Sequence, residues 1–374
     1  MVEIRKVENA RDRKEFVKFP LRMYSNNPYY APALYSDEMK AFTPDNVYTH
    51  TCDDVFFLAV KDGRTAGRIQ GIIQKQYNEL HKEKRVRFTR FDCIDDQEVA
   101  DALFKAVADW AKAKGMDTFC GPLGYSDLER EGLLISGFDE YSTFEEQYNY
   151  PYYQKLIEKA GFAKEVDWVE YKLYAPEQRN PMVEKLAQRA LELNKLHVVD
   201  SSKMSKKEYI NKVKDGVFEC LDKCYAELYG TVPFTTEMKE QLIDQFMLIV
   251  NKKFLVVVCD ENERVVSFGL CFPAIGRALR KSGGRLTPAG LIRLLYAVKK
   301  PAVIDLGLVA VLPEYQARGV TAVMIKGMWD MLEGTTVQYC ETNLNLEDNL
   351  AVQSMWKHFK AVQHKRRRSF IKSI

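Results

Sequence analysis

The order of secondary-structure signals repeats once along this chain, and that repeat limits its possible folds more than any single motif. In the first half, FFLAV (56–60) reads as a strand, KDGRTA as a turn and GRIQGII (67–73) as a second strand. VRFTRFDCI (86–94) is a third strand. Residues 96–115 carry Val99, Leu103, Phe104, Val107 and Trp110 near helical spacing and end at Gly115, a common helix stop. MDTFCGPLG (116–124) is a further strand and PYYQKLIEKAGF (151–162) a short helix. The second half runs the same way: FLVVVCD (254–260), the turn ENER, VVSFGLCF (265–272), AVIDLGLVAV (302–311), a helix over 320–334 closed by Gly334, the strand TTVQYCETNL (335–344) and the helix NLAVQSMWKHFK (349–360).

Each copy reads strand, hairpin, strand, helix, strand, helix. That order implies a mixed sheet with helices on its faces, an α/β (α+β) architecture in two tandem domains. The pattern lapses at YAPEQRNP, so the boundary is expected near 175–180. This gives domains 1–177 and 178–374, with the helical stretch 205–250 assigned to the second. A length of 374 residues is also more than one core usually serves.

Charge is too balanced to imply nucleic acid, at 55 basic against 52 acidic residues. Eight Cys occur with no CxxC pair and no His cluster, which reads as buried thiols in a reducing compartment and disfavours a metal site. The start MVEIRKVENARDRKEF has no apolar leader, and no run of about 18 apolar residues occurs anywhere. A cytoplasmic protein is expected.

The most specific local feature is LPEYQARGVTAVMI (312–325), between an apolar strand and a helix. A helix start leaves its first amides without partners, and with the positive helix end these form an anion site where backbone can be approached. Ala317, Gly319, Val320, Thr321 and Ala322 permit approach, Arg318 adds charge, and Gln316 can hydrogen-bond across the turn. No acid occurs from Tyr315 to Lys326. The matching junction in the first copy, FDCIDDQEVADAL, carries Asp92, Asp95, Asp96 and Glu98, which would cap the helix and repel a diphosphate.

LPEYQARGVTAVMI resembles the coenzyme-A-binding motif of the GNAT acetyltransferase superfamily, Gln/Arg-x-x-Gly-x-Gly/Ala. Gln316 and Gly319 match, and Thr321 stands where Gly or Ala is usual. The resemblance covers most of residues 205–374. The whole chain, including FVKFPLRMYSNNPYYAPAL and NYPYYQKLIEKAGF, is similar to bacterial tandem-GNAT acetyltransferases of unknown substrate. It implies an acyl-CoA co-substrate, acetyl-CoA first, bound by residues 316–322, with Val309 and Val311 backbone groups on the pantetheine arm and Asn349 before the last helix. It implies no metal. Trp356 falls where a Tyr often serves as general acid in that family. The first copy resembles a degenerate duplicate that helps form the substrate cleft.

Acyl transfer needs an acceptor proton removed, an oxyanion stabilised and a thiolate released. Asp305 is a lone carboxylate inside VIDLGLVAV, where burial would raise its pKa toward a base's range. Alternation places it with 307, 309 and 311, and it stands eleven residues before Gln316, the spacing of a glutamate base in the histone-acetylating branch that the motif resembles. Its alternative is a structural carboxylate bonded to an Arg or to backbone. Glu341, with Asn343, is a second candidate, against the alternative of a polar strand end. The expected acceptor is an amine on a small molecule or peptide. Rival readings are an aminoacyl-tRNA-dependent transferase of the tandem type and a non-catalytic CoA-binding or scaffold protein.

Residues 273–301 replace an expected tight hairpin. They carry Arg277, Arg280, Lys281, Arg285, Arg293, Lys299 and Lys300 and no acid, with a helix expected from Pro288. Three uses stay open: a surface for an acidic or phosphorylated substrate, an amphipathic helix over 286–300 touching a membrane, or a solvated packing helix. The tail HKRRRSFIKSI is expected to be a final strand with solvated charges.

Overall fold

The computed structural model describes all 374 residues. Its fourteen strands are β1 Val2–Lys6, β2 Cys52–Lys61, β3 Arg64–Gln74, β4 Arg85–Cys93, β5 Thr118–Gly121, β6 Leu133–Ser136 and β7 Ala163–Tyr174 in the first half. The second half holds β8 His197–Val198, β9 Leu255–Cys259, β10 Val265–Pro273, β11 Val303–Val311, β12 Tyr339–Thr342, β13 Asn345–Leu346 and β14 Lys360–Ser373. They form one continuous sheet in the order β1-β2-β3-β4-β5-β14-β7-β12-β11-β10-β9-β8, with β6 on β14 and β13 on β7.

The two halves mirror each other. Strands β1 to β4 are antiparallel and β5 joins β4 in parallel; β8 to β11 are antiparallel and β12 joins β11 in parallel. Each keeps its own core. In the first, the helices Gln97–Lys112 and Tyr152–Lys159 cover the sheet through Val99, Leu103, Phe104, Val107 and Ile157. In the second, the helices Pro181–Leu193, Lys206–Tyr225 and Val320–Leu332 bury Ala187, Val213, Met328 and Trp329. Gly115 and Gly334 follow the two long helices at φ +79° and +65°, the left-handed conformation that glycine adopts without a Cβ clash.

The halves exchange their last strands. β14, the end of the chain, lies between β5 and β7 and so completes the first half's sheet. β7, from the first half, pairs with β12 and β13 and completes the second. The sequence boundary at 177 falls just after β7. The expectation of a tail with solvated charges fails here. Lys365 and Arg367 are buried, with Arg367 Nε donating to Glu170 at 2.7 Å and Lys365 paired to Glu341. Arg366 and Arg368 both bond Asp167, at 2.9 and 2.7 Å. Alternate residues of β14, Lys365, Arg367 and Ser369, are buried, so their polar groups need partners. No helix of the chain is long and apolar enough to cross a membrane.

Candidate active site

The site begins where β11 and β12 separate. They pair in parallel from Val303 and Tyr339 to Leu306 and Thr342, and Asn343 N still donates to Leu306 O at 3.1 Å. Beyond that point β12 has ended, and residues 307–311 of β11 keep only β10 as a neighbour. The freed edge lines a cavity of about 580 Å³, within the size range of small-molecule sites. Of its 44 lining residues 30 are hydrophobic, and most come from the helices Lys206–Tyr225 and Thr236–Met247, from β11, and from the last helix with Trp356.

At the cavity's outer end stands the junction. A short helix, Pro313–Gln316, leads to Gly319 at φ +80°, which starts the helix Val320–Leu332. Its first turn holds no acid and no side chain caps it, so nothing competes for its leading amides. Gln316, Ala317 and Arg318 are exposed, and Arg318 lies over the Tyr315 ring at 5.4 Å. Gln316, Thr321, Val309, Val311 and Asn349 line the cavity. Asn349 caps the last helix through its Oδ1, which accepts from Val352 N at 3.3 Å. Gly319 packs tightly: a Cβ there would lie 3.1 Å from Leu186 of the neighbouring helix.

The first copy's junction is closed by acids. Asp96 caps the helix Gln97–Lys112 by accepting from Glu98 N at 3.0 Å, and Lys61 bridges Asp96 and Glu98. Asp92 is buried against Arg68 at 2.8 Å and accepts the Tyr24 hydroxyl at 2.8 Å.

Backbone groups of the β11 edge have side-chain partners. The Tyr225 hydroxyl donates to Val309 O at 3.2 Å and accepts from Val309 N at 3.4 Å. Val311 O accepts from Gln316 Nε2 at 3.1 Å and from Cys224 Sγ at 3.4 Å. Tyr225 thus bonds both groups of Val309 as a secondary amide would. A pantetheine arm would compete with the Tyr225 hydroxyl for the same Val309 groups.

The carboxylates are arranged differently from the alternation argument. The β10–β11 register shifts between Leu270 and Cys271, opposite Gly307, so Gly307 is the extra residue of a bulge. A bulge inverts alternation, and Asp305 does not share a face with 307, 309 and 311. It is buried behind the cavity, outside its lining, and neither carboxylate oxygen has a hydrogen-bond partner. Burial, and then the nearby Glu341 charge, push its pKa well up. Glu341 is no polar strand end: it is buried, held by Lys365, and 3.5 Å from His364 Nε2. Burial raises its pKa although Lys365 opposes this. Glu170, Glu341 and His364 have a metal-like spacing, but the Lys365 ammonium already pairs with both carboxylates.

What the sequence reading missed is Glu145. It comes from the first half, lines the cavity and has a buried Oε1 without a partner. Burial raises its pKa well above the carboxylate range, and Asp305 is the next largest cause. Asp127, Glu129, Glu131 and Glu146 line the same wall. Burial lifts Asp127 to about 6 and Glu146 to about 8. The signal was present in SDLEREG and TFEEQ, an acid-rich stretch between two regular elements. Trp356 is buried and donates its indole N–H to Asn345 Oδ1 at 3.1 Å, so it offers no exchangeable proton at the cavity.

No protein-family model matches the chain. It is similar to protein YghO of Escherichia coli K12, 25% identical over 378 residues that cover 99% of this chain and 95% of that protein. It is similar also to the bacterial ceramide synthase of Caulobacter vibrioides, 25% identical over 377 residues, 98% of this chain and 96% of that one. Among solved structures, a tandem GNAT protein from the clavulanic acid biosynthesis pathway superposes with a TM-score of 0.56 at 12% identity, over 100% of this chain and 98% of that one. A GCN5-related glucosamine N-acetyltransferase region of a fungal β-N-acetylglucosaminidase gives 0.59 at 10% identity, over 100% of this chain and 38% of that one. The chain has the tandem GNAT fold.

Proposed function

We propose that this chain, tandem GNAT by fold, is an acyl-CoA-dependent N-acyltransferase whose substrates include a long apolar chain. The carrying observation is the cavity: an uncapped, acid-free helix start at Gly319 opens along a freed strand edge into about 580 Å³ of mainly apolar space. An acetyl group needs little of that volume. The similarity to a ceramide synthase points the same way, since a ceramide is a long-chain amino alcohol acylated on nitrogen.

The residues divide the work. The amides at 319–322, with Arg318, hold the diphosphate. Val309 and Val311 hold the pantetheine arm after Tyr225 moves off, and Gln316 and Asn349 border it. When bound, the thioester supplies an activated acyl carbon. The acid-lined wall hydrogen-bonds the acceptor, and Glu145, in its ionised form, takes a proton from the acceptor's ammonium group. The free amine nitrogen then forms the new C–N bond as the C–S bond breaks. Asp305, behind Glu145, raises the Glu145 pKa through its charge; Glu341 is fixed by Lys365 and orients β12. The acylated nitrogen sheds its second proton, and the Tyr225 hydroxyl relays a proton to the departing thiolate and is restored by the one from nitrogen, so that both end neutral.

Thiol release from acyl-CoA, measured with a panel of amines, tests the reading. Turnover is expected with a long-chain amine and palmitoyl-CoA or acetyl-CoA, and Tyr225→Phe is expected to bind acyl-CoA at least as tightly while losing turnover. No thiol release with any pair, despite binding, would leave a CoA-binding protein and overturn the enzyme.

A further inference from the structure

The insertion between β10 and β11 presents a face that nothing in the chain covers. It folds as the helices Gly276–Arg280 and Pro288–Lys299. The second is anchored on one side only: Leu294 is fully buried among Ile249, Val250, Phe272, Ile275 and Leu279. On the other side Ile292, Leu295 and Tyr296 are 70%, 48% and 67% exposed, and Leu286, just before the helix, is 43% exposed. With Lys299 they follow i, i+3, i+4, i+7 spacing, one stripe along the helix.

The charge around this stripe is equally one-sided. All seven basic residues from Arg277 to Lys300 lack a salt bridge, and no acid occurs within 273–301. Arg277 and Arg285 instead stack on Tyr141 and Tyr35 of the first half, at 3.9 and 4.2 Å, which fixes the insertion across both halves. The helix Pro181–Leu193 also exposes Met182 and Leu193, but it carries Glu184 and Glu192 and has no comparable excess of cations.

We propose that this insertion docks the protein on an anionic lipid bilayer. Ile292, Leu295 and Tyr296 enter the acyl boundary, and the surrounding Lys and Arg side chains lie at phosphate level. A 12-residue helix is about 18 Å long, too short to span a bilayer and suited to lying in its surface. A membrane is favoured over an acidic protein or a nucleic acid because the centre of the cationic patch is apolar. The surface does not depend on the acyltransferase reading, though it would serve it. Phe272 and Val250, which support the helix from inside, also line the cavity, so a lipid substrate would enter close to the membrane.

Flotation of the full chain with vesicles of phosphatidylcholine alone, or of phosphatidylcholine mixed with phosphatidylglycerol, tests this. The wild-type chain is expected to float with the mixed vesicles and not with the neutral ones. The triple variant Ile292→Asn, Leu295→Asn, Tyr296→Ser and the double variant Lys299→Glu, Lys300→Glu should each lower the bound fraction about tenfold. Unchanged melting curves would confirm that both remain folded, since all five side chains are exposed. No flotation of the wild-type chain would overturn the proposal. So would a triple variant that floats as well as wild type while the charge-reversed one does not, a result that marks a purely electrostatic surface for an acidic macromolecule.

Discussion

In the proposed reaction two buried carboxyl groups, Glu145 from one half and Asp305 from the other, govern the proton transfer. Burial raises the pKa of both, and the Asp305 charge raises that of Glu145 further. A base must be ionised to act, so turnover should fall toward acid pH. Glu145→Gln is expected to lower kcat by about 10²–10³ and leave the KM for acyl-CoA nearly unchanged. Asp305→Asn removes a charge that raises the Glu145 pKa, so the acid limb of the pH–kcat profile should move to lower pH with a smaller loss of rate. Steady-state kinetics across pH checks both. An acid limb that stays in place in Asp305→Asn would show that the two groups do not communicate.

At the scale of elements, the exchanged strands β7 and β14 are joined by buried charge. Arg367 is fully buried against Glu170, and Lys365 lies between Glu170 and Glu341. Removing one partner of such a pair leaves the other uncompensated, at a cost of about 3–5 kcal/mol. Arg367→Met should therefore destabilise strongly, and adding Glu170→Leu should recover much of the loss, as denaturant titration can measure. The repeat of elements was legible in the sequence because strand and helix periodicities are local, and so was the uncapped helix start at Gly319, because its glycine, missing acids and preceding strand lie in one short stretch. The exchange was not legible. It depends on which half's sheet each final strand joins, and VDWVEYKLY and KRRRSFIKS have the same alternation whichever sheet receives them. The bulge at Gly307 was hidden for a similar reason: it is set by β10, and it moved Asp305 off the face that alternation assigned. Glu145 lay in a stretch without periodicity and comes to the site only through tertiary packing.

For the whole molecule, the exchange makes each half's sheet incomplete without the other chain segment. Residues 1–177 expressed alone lack β14 beside β5, and residues 178–374 lack β7 beside β12. Neither fragment should give a cooperative melting transition alone, and mixing them should restore one; calorimetry distinguishes this from two autonomous domains. The acid-lined wall also ties stability to pH. Glu146 is protonated in the folded chain up to about 8 but ionised in the unfolded chain above about 4.5. Its stabilising contribution is full below the unfolded value and is lost as pH rises through the folded one. The buried His364, which burial depresses to about 3, still binds part of a proton in the unfolded chain near pH 6.5 and opposes the fall only slightly there. Stability should thus fall between pH 6.5 and 8.5, and Glu146→Gln should lessen that fall. Denaturant midpoints at the two pH values decide it.

The proposed activity rests on one helix start, and calorimetric titration with acyl-CoA tests it most directly. It predicts one molecule bound per chain, affinity lowered at least about tenfold by Arg318→Glu, and no change on Asp96→Ser in the first copy. Two molecules bound per chain, or one whose affinity ignores Arg318→Glu, would contradict it.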